Sequence, residues 1–81
     1  MNPSKKARSA NIEIYIERCK QSYIKDGWIF DHRSHFDALE YDILIFHRRT
    51  DKGITKKLRL TIYRATKLTV PKTWEYSVIG V

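Results

Sequence analysis

Between Leu39 and Ala65 the chain carries two runs rich in aliphatic and β-branched residues. They read Leu39-Glu-Tyr-Asp-Ile-Leu-Ile-Phe-His-Arg-Arg49 and Ile54-Thr-Lys-Lys-Leu-Arg-Leu-Thr-Ile-Tyr-Arg-Ala65, joined by Thr50-Asp-Lys-Gly53. Two such runs around a short loop ending in glycine predict a β-hairpin. With Arg49 paired to Ile54 across a four-residue loop, Ile45 opposes Leu58, Ile43 opposes Leu60 and Tyr41 opposes Ile62. One side of the hairpin is then apolar. The other side carries Phe46 opposite Lys57, Leu44 opposite Arg59, Asp42 opposite Thr61 and Glu40 opposite Tyr63. Side chains alternate between faces, so a slip of one residue would move a whole strand's set to the other side. The expected register rests on keeping the apolar residues together.

Upstream of the hairpin, Ile12, Tyr15, Ile16, Cys19 and Tyr23 recur at the helical period. At 3.6 residues per turn they span an arc of about 100°, the width of a stripe facing a core. Ser9 is the expected N-cap, with Ser4 and Asn11 as alternatives, and Gly27 supplies a left-handed C-cap. Residues 1–8, with Lys5, Lys6 and Arg8, read as a basic mobile arm ahead of a single domain over 9–81. Trp28 to Arg33 reads as a strand and Ser34 to Ala38 as a turn. Lys67 to Thr73 reads as a connection interrupted by Pro71. From Trp74 onward the alternation predicts a last strand with Trp74, Tyr76 and Val78 facing inward.

These elements predict an α+β fold: one N-terminal helix on a four-stranded antiparallel meander, α-β-β-β-β, with the far sheet face open. One helix covers only one face of a sheet. In the expected register that open face holds Leu44, Phe46, Arg48, Lys57, Arg59, Thr61 and Tyr63, while His47 falls on the helix side.

Charge sharpens the expectation. Sixteen Lys and Arg oppose nine Asp and Glu, a formal net charge of +7 on 81 residues. That field favours polyanions or acidic partners. Arg48, Arg49, Lys52, Lys56, Lys57 and Arg59 gather at the hairpin tip, with only Asp51 beside them. With Phe46 and Tyr63 as flat stacking surfaces, this is the combination that nucleic-acid binders use: cations along phosphates and rings against bases. DNA and RNA, single and double strand, are equally compatible with it. The competing expectation is a protein-interaction regulator, or an inhibitor of a nucleic-acid enzyme, docking through the same face, alone or as a homodimer.

Other chemistry is thinner. His32, His35 and His47 lie near Arg33, Arg48 and Arg49, a pairing able to cut RNA without metal if one cleft gathered them. No catalytic residues are assigned on spacing alone. Neither the histidine spacing nor Asp42 and Glu40 match a metal site, so no metal and no cofactor are expected. A lone cysteine, Cys19, excludes an internal disulfide, and no apolar run approaches the ~20 residues of a membrane span. A reduced, cytoplasmic setting is expected, with no membrane partner.

Overall fold

The period of the N-terminal apolar residues is realised as helix α1 (Pro3–Lys25), whose stripe packs on a sheet. Proline suits the first helical turn, where its missing N–H costs nothing. The computed structural model describes the backbone of residues 3–77 and the side chains of residues 11–75. The helical backbone therefore starts ahead of the Ser9 cap and includes residues 3–8 of the expected arm, whose side chains lie outside the described residues. At the other end, Gly27 adopts φ +102°. Its N–H donates to Ile24 O at 3.0 Å, and Trp28 N–H donates to Tyr23 O at 3.0 Å. This is the paired bonding of a Schellman cap.

Four strands follow: β1 (Ile29–Phe36), β2 (Tyr41–Arg49), β3 (Ile54–Tyr63) and β4 (Leu68–Ser77). They form one antiparallel sheet in the order β1-β2-β3-β4, the expected meander. β1 extends past Arg33 to Phe36, so the turn lies later than expected. β4 begins at Leu68, not at Trp74, and carries Pro71 within it. An edge strand tolerates proline because one row of its backbone groups has no strand partner to bond.

The central hairpin differs from expectation by one residue. Thr50 N–H donates to Ile54 O at 2.9 Å, Gly53 N–H donates to Thr50 O at 3.0 Å, and Ile54 N–H donates to Thr50 Oγ1 at 3.2 Å. Thr50 thus faces Ile54 across three residues, with Gly53 at φ +77°. A three-residue loop closed by a left-handed glycine is a common hairpin connection, and here it replaces the four-residue loop. The consequence is that Leu44 registers with Leu60, Phe46 with Leu58 and Asp42 with Ile62.

Those six residues face the helix. Leu44, Phe46, Leu58, Leu60 and Ile62, with Ile16 of α1, form the buried core, and Ile12, Tyr15, Cys19, Tyr23, Trp28 and Phe30 pack around it. Leu58, Leu60 and Ile62 face inward as expected, whereas β2 is turned over. Phe46 is fully buried between the rings of Tyr23 and Phe30, at centroid distances of 5.4 and 5.6 Å. Cys19 is half-buried in the helix stripe, and burial pushes its thiol up from the ordinary value. Trp74 is 42% exposed on the other face and is not inward. The Tyr76 side chain and Val78 lie outside the described residues.

The register has a direct test. Leu44→Ala should lower unfolding free energy by about 2–5 kcal/mol by leaving a cavity. Ile43→Thr, one residue away on the uncovered face, should cost about 1 kcal/mol or less. Urea unfolding of both variants measures the difference, and equal losses would contradict the pairing.

Candidate nucleic-acid interface

The sheet presents to solvent the residues that alternate with its core. Cross-strand rows run Ile29–His47–Lys57–Trp74 and His32–Ile45–Arg59–Lys72, with Ser34–Ile43–Thr61–Val70 and Phe36–Tyr41–Tyr63–Leu68 below. Residues in one row share a face, with neighbouring Cβ atoms about 4.5–5.5 Å apart. The first two rows, with Arg49 beyond them, form a cationic end. The last two form an aromatic and aliphatic end. The face is polarised along the strands.

The eight expected contact residues divide accordingly. Lys57, Arg59 and Tyr63 stand on the open face, as expected, and Arg49 joins them at its upper end. Lys52 is exposed in the loop. Phe46 is a correction: a side chain sealed under the helix offers no surface for stacking. Arg48 is a second, since β2's reversed phase points it toward the helix side. Its guanidinium stacks on Trp28 at 5.3 Å from the ring centroid, and its Nη1 is 3.5 Å from Asp26 O. A cation against the helix C-terminus is favourable there. Lys56, expected only as a cation of the hairpin tip, shares Arg48's row and so lies off the open face. His47 makes the opposite move and joins the open face.

Two residues of the cationic end, Lys72 and Trp74, were not anticipated. The available signal is the period-two run Leu68-x-Val70-x-Lys72-x-Trp74, which continues through Pro71. Arg59 and Lys72 are directly opposed on neighbouring strands. Among the described residues neither has a carboxylate within ion-pair distance, and with Trp74 they line a cavity of about 330 Å³. Lys57 is partly neutralised by Asp31, at 3.7 Å.

A second polar cluster lies on the helix side. Asp42 is fully buried, with its Oδ1 2.6 Å from His35 Nδ1 and 3.4 Å from Arg64 Nη1, and its Oδ2 3.1 Å from Arg33 Nη2. Arg33 also forks onto Glu13 of α1, with both bonds at 2.8 Å. Arg64 donates further to Phe36 O and Asp37 O, at 2.9 and 3.3 Å. The cluster binds the helix, β1, β2 and the β3–β4 turn to one another. Its guanidinium groups are spent on partners within the chain, which makes it a clamp. Among the described residues no three His, Cys, Asp or Glu side chains converge as a metal would require. No helix among them is long and apolar enough to cross a membrane.

The clamp predicts a pH dependence. The hydrogen bonds from Arg33 hold the Glu13 carboxyl below its ordinary value of 4.5. A carboxyl lowered on folding contributes stability above its unfolded value, and that contribution is lost as pH falls through the folded value. Glu13→Gln should therefore lower the thermal midpoint most near neutral pH, and the gap from the parent chain should shrink as pH falls below 4.5 and through the lowered folded value. A gap unchanged from neutral to acid pH would contradict the ion pair's role.

In comparisons with known proteins, no family model, no curated protein and no solved structure matches this chain.

Proposed function

We propose that this chain is a small nucleic-acid-binding protein whose contact surface is the cationic end of the open sheet face. The observation that carries the reading is the Arg59–Lys72 pair beside the exposed Trp74. Like charges placed directly opposite destabilise a sheet, and no described carboxylate relieves them. A polyanion would. Arg49, Lys57, Arg59 and Lys72 supply phosphate contacts, and Lys52 extends the field from the loop. Trp74, 42% exposed, supplies a stacking surface at that end, and Tyr63, 39% exposed, offers a second at the far end of the face. The net charge of +7 draws the polymer in from a distance.

The regulatory reading, docking of a protein or a second copy, draws on the other end of the face. Leu39, Tyr63, Leu68 and Val70 line a shallow cavity of about 380 Å³, and Leu39 and Leu68 are more than half exposed. An apolar patch at that end suits a protein surface. Sedimentation across a concentration series decides it: a chain monomeric throughout, with no co-purifying protein, excludes this use of the patch.

A salt titration tests the main reading. With about four phosphate contacts, the log of the single-strand binding constant should fall with log salt at a slope near −2.8. Arg59→Glu with Lys72→Glu should abolish binding in fluorescence anisotropy at low salt. Arg48→Glu, on the helix side, should alter binding far less. Undiminished affinity in the double variant would remove the proposed surface.

A further inference from the structure

Resting on the nucleic-acid reading, we infer that the open face cuts RNA, using His47 and His32 as a proton-transfer pair around a phosphodiester held above Ile45. The register supplies the arrangement. Ile45 pairs with His32 on β1 and with Arg59 on β3, while His47, two residues along β2, pairs with Lys57. His32, His47, Lys57 and Arg59 therefore surround one half-buried aliphatic side chain on one face. Direct neighbours lie about 5 Å apart at Cβ and the two histidines, diagonal to one another, about 7–8 Å apart. That separation brackets a single phosphodiester.

The surroundings fit the task. The only register shift between β1 and β2 falls between Phe30 and His32, at Asp31. Bulges of this kind re-aim a side chain. Here Asp31 Oδ2 lies 3.6 Å from His32 Nδ1 and 3.7 Å from Lys57 Nζ, so one carboxylate steadies both groups, and the His32 side chain is 59% exposed. Among the described residues the His47 ring has no hydrogen-bond or ion-pair partner, although it is half-buried. Arg59 is exposed and unpaired among the same residues.

The step balances without metal or cofactor. The His47 imidazole takes the proton of the ribose 2′-hydroxyl as that oxygen forms a bond to phosphorus. The bond from phosphorus to the 5′ oxygen breaks, and His32, entering protonated, gives its proton to the departing oxygen. The products are a 2′,3′-cyclic phosphate and a 5′-hydroxyl, with the phosphate still carrying one negative charge. Solvent returns the proton from His47 to His32. Lys57 and Arg59 face the non-bridging oxygens, whose charge grows at the five-coordinate stage. Because the nucleophile is the substrate's own 2′-hydroxyl, the substrate is RNA, and the exposed Trp74 beside Lys57 favours unpaired bases.

The experiment incubates the full chain with an end-labelled single-stranded RNA in excess chelator, alongside binding of the all-deoxy strand of the same sequence. The expected result is cleavage to cyclic-phosphate ends, with the deoxy strand bound but intact. His47→Gln and His32→Gln should each slow cleavage about 100-fold or more while leaving deoxy-strand affinity within about threefold. Substituting one 2′-deoxynucleotide should suppress cutting at that position alone. Intact RNA alongside retained deoxy-strand binding would overturn the cleavage step and leave the binding surface standing. Cleavage undiminished in both histidine variants would overturn the assignment of these residues. Loss of both binding and cleavage in the parent chain would remove the two readings together.

Discussion

The closure of the central hairpin decides what every other residue of the sheet does. Thr50 meeting Ile54 across Asp51, Lys52 and the left-handed Gly53 sets the phase of β2 against β3. From that single offset, Leu44 and Phe46 go under the helix while Ile43, Ile45 and His47 come out. Apolar content alone does not choose between the phases. β2 is apolar on both sides, with Ile43 and Ile45 on one and Leu44 and Phe46 on the other, so either register gives a plausible core. The loop's hydrogen bonds break the tie, backed by Phe46 filling the space between Tyr23 and Phe30.

Turning β2 over brings Asp42 into the core, a position a carboxylate occupies only with partners. Its partners Arg33, His35 and Arg64 come from β1 and the β3–β4 turn, and Arg33 carries the link on to Glu13 of the helix. Removing one of these partners leaves the buried Asp42 carboxylate with less compensation. The clamp therefore fixes the helix over β1 and β2 at the end of the sheet opposite the hairpin tip. At the tip end, Arg48 against Trp28 and the helix C-terminus performs the corresponding task. Two cations that sequence reasoning assigns or offers to a ligand, Arg48 and Arg33, are instead holding the layers together.

Strong periodicity made the helix, its stripe, the Gly27 cap and the inward face of β3 legible in the sequence. In β3 the alternation is clean: Leu58, Leu60 and Ile62 inward, with Lys57, Arg59 and Thr61 outward. The phase of β2 was not legible, because it depends on a loop whose length is ambiguous by one residue. β4 was hidden by Pro71, which reads as an interruption unless the strand is known to be an edge. The candidate site inherits these differences. Lys57, Arg59 and Tyr63 follow from β3 and survive, Phe46 and Arg48 fall with β2's phase, and Lys72 and Trp74 emerge only once β4 is seen.

An uncovered sheet with Ile43, Ile45 and Tyr41 at its centre invites pairing with other chains, and the cations beside them oppose it. Two copies meeting face to face over the cationic ends would set Arg59 and Lys72 near their own counterparts, in a space that excludes water. Pro71 removes a donor from the edge strand as well. The cations thus oppose self-association where the face is most basic, and on the proposed reading they are free for a flexible anion. The opposed Arg59 and Lys72 fit this view. A sheet selected for stability alone would set a carboxylate against one of them, and a cross-strand pair of opposite charge would gain about 0.2–1 kcal/mol. Leaving that gain unrealised is reasonable where the two charges are kept for something that is not part of the chain.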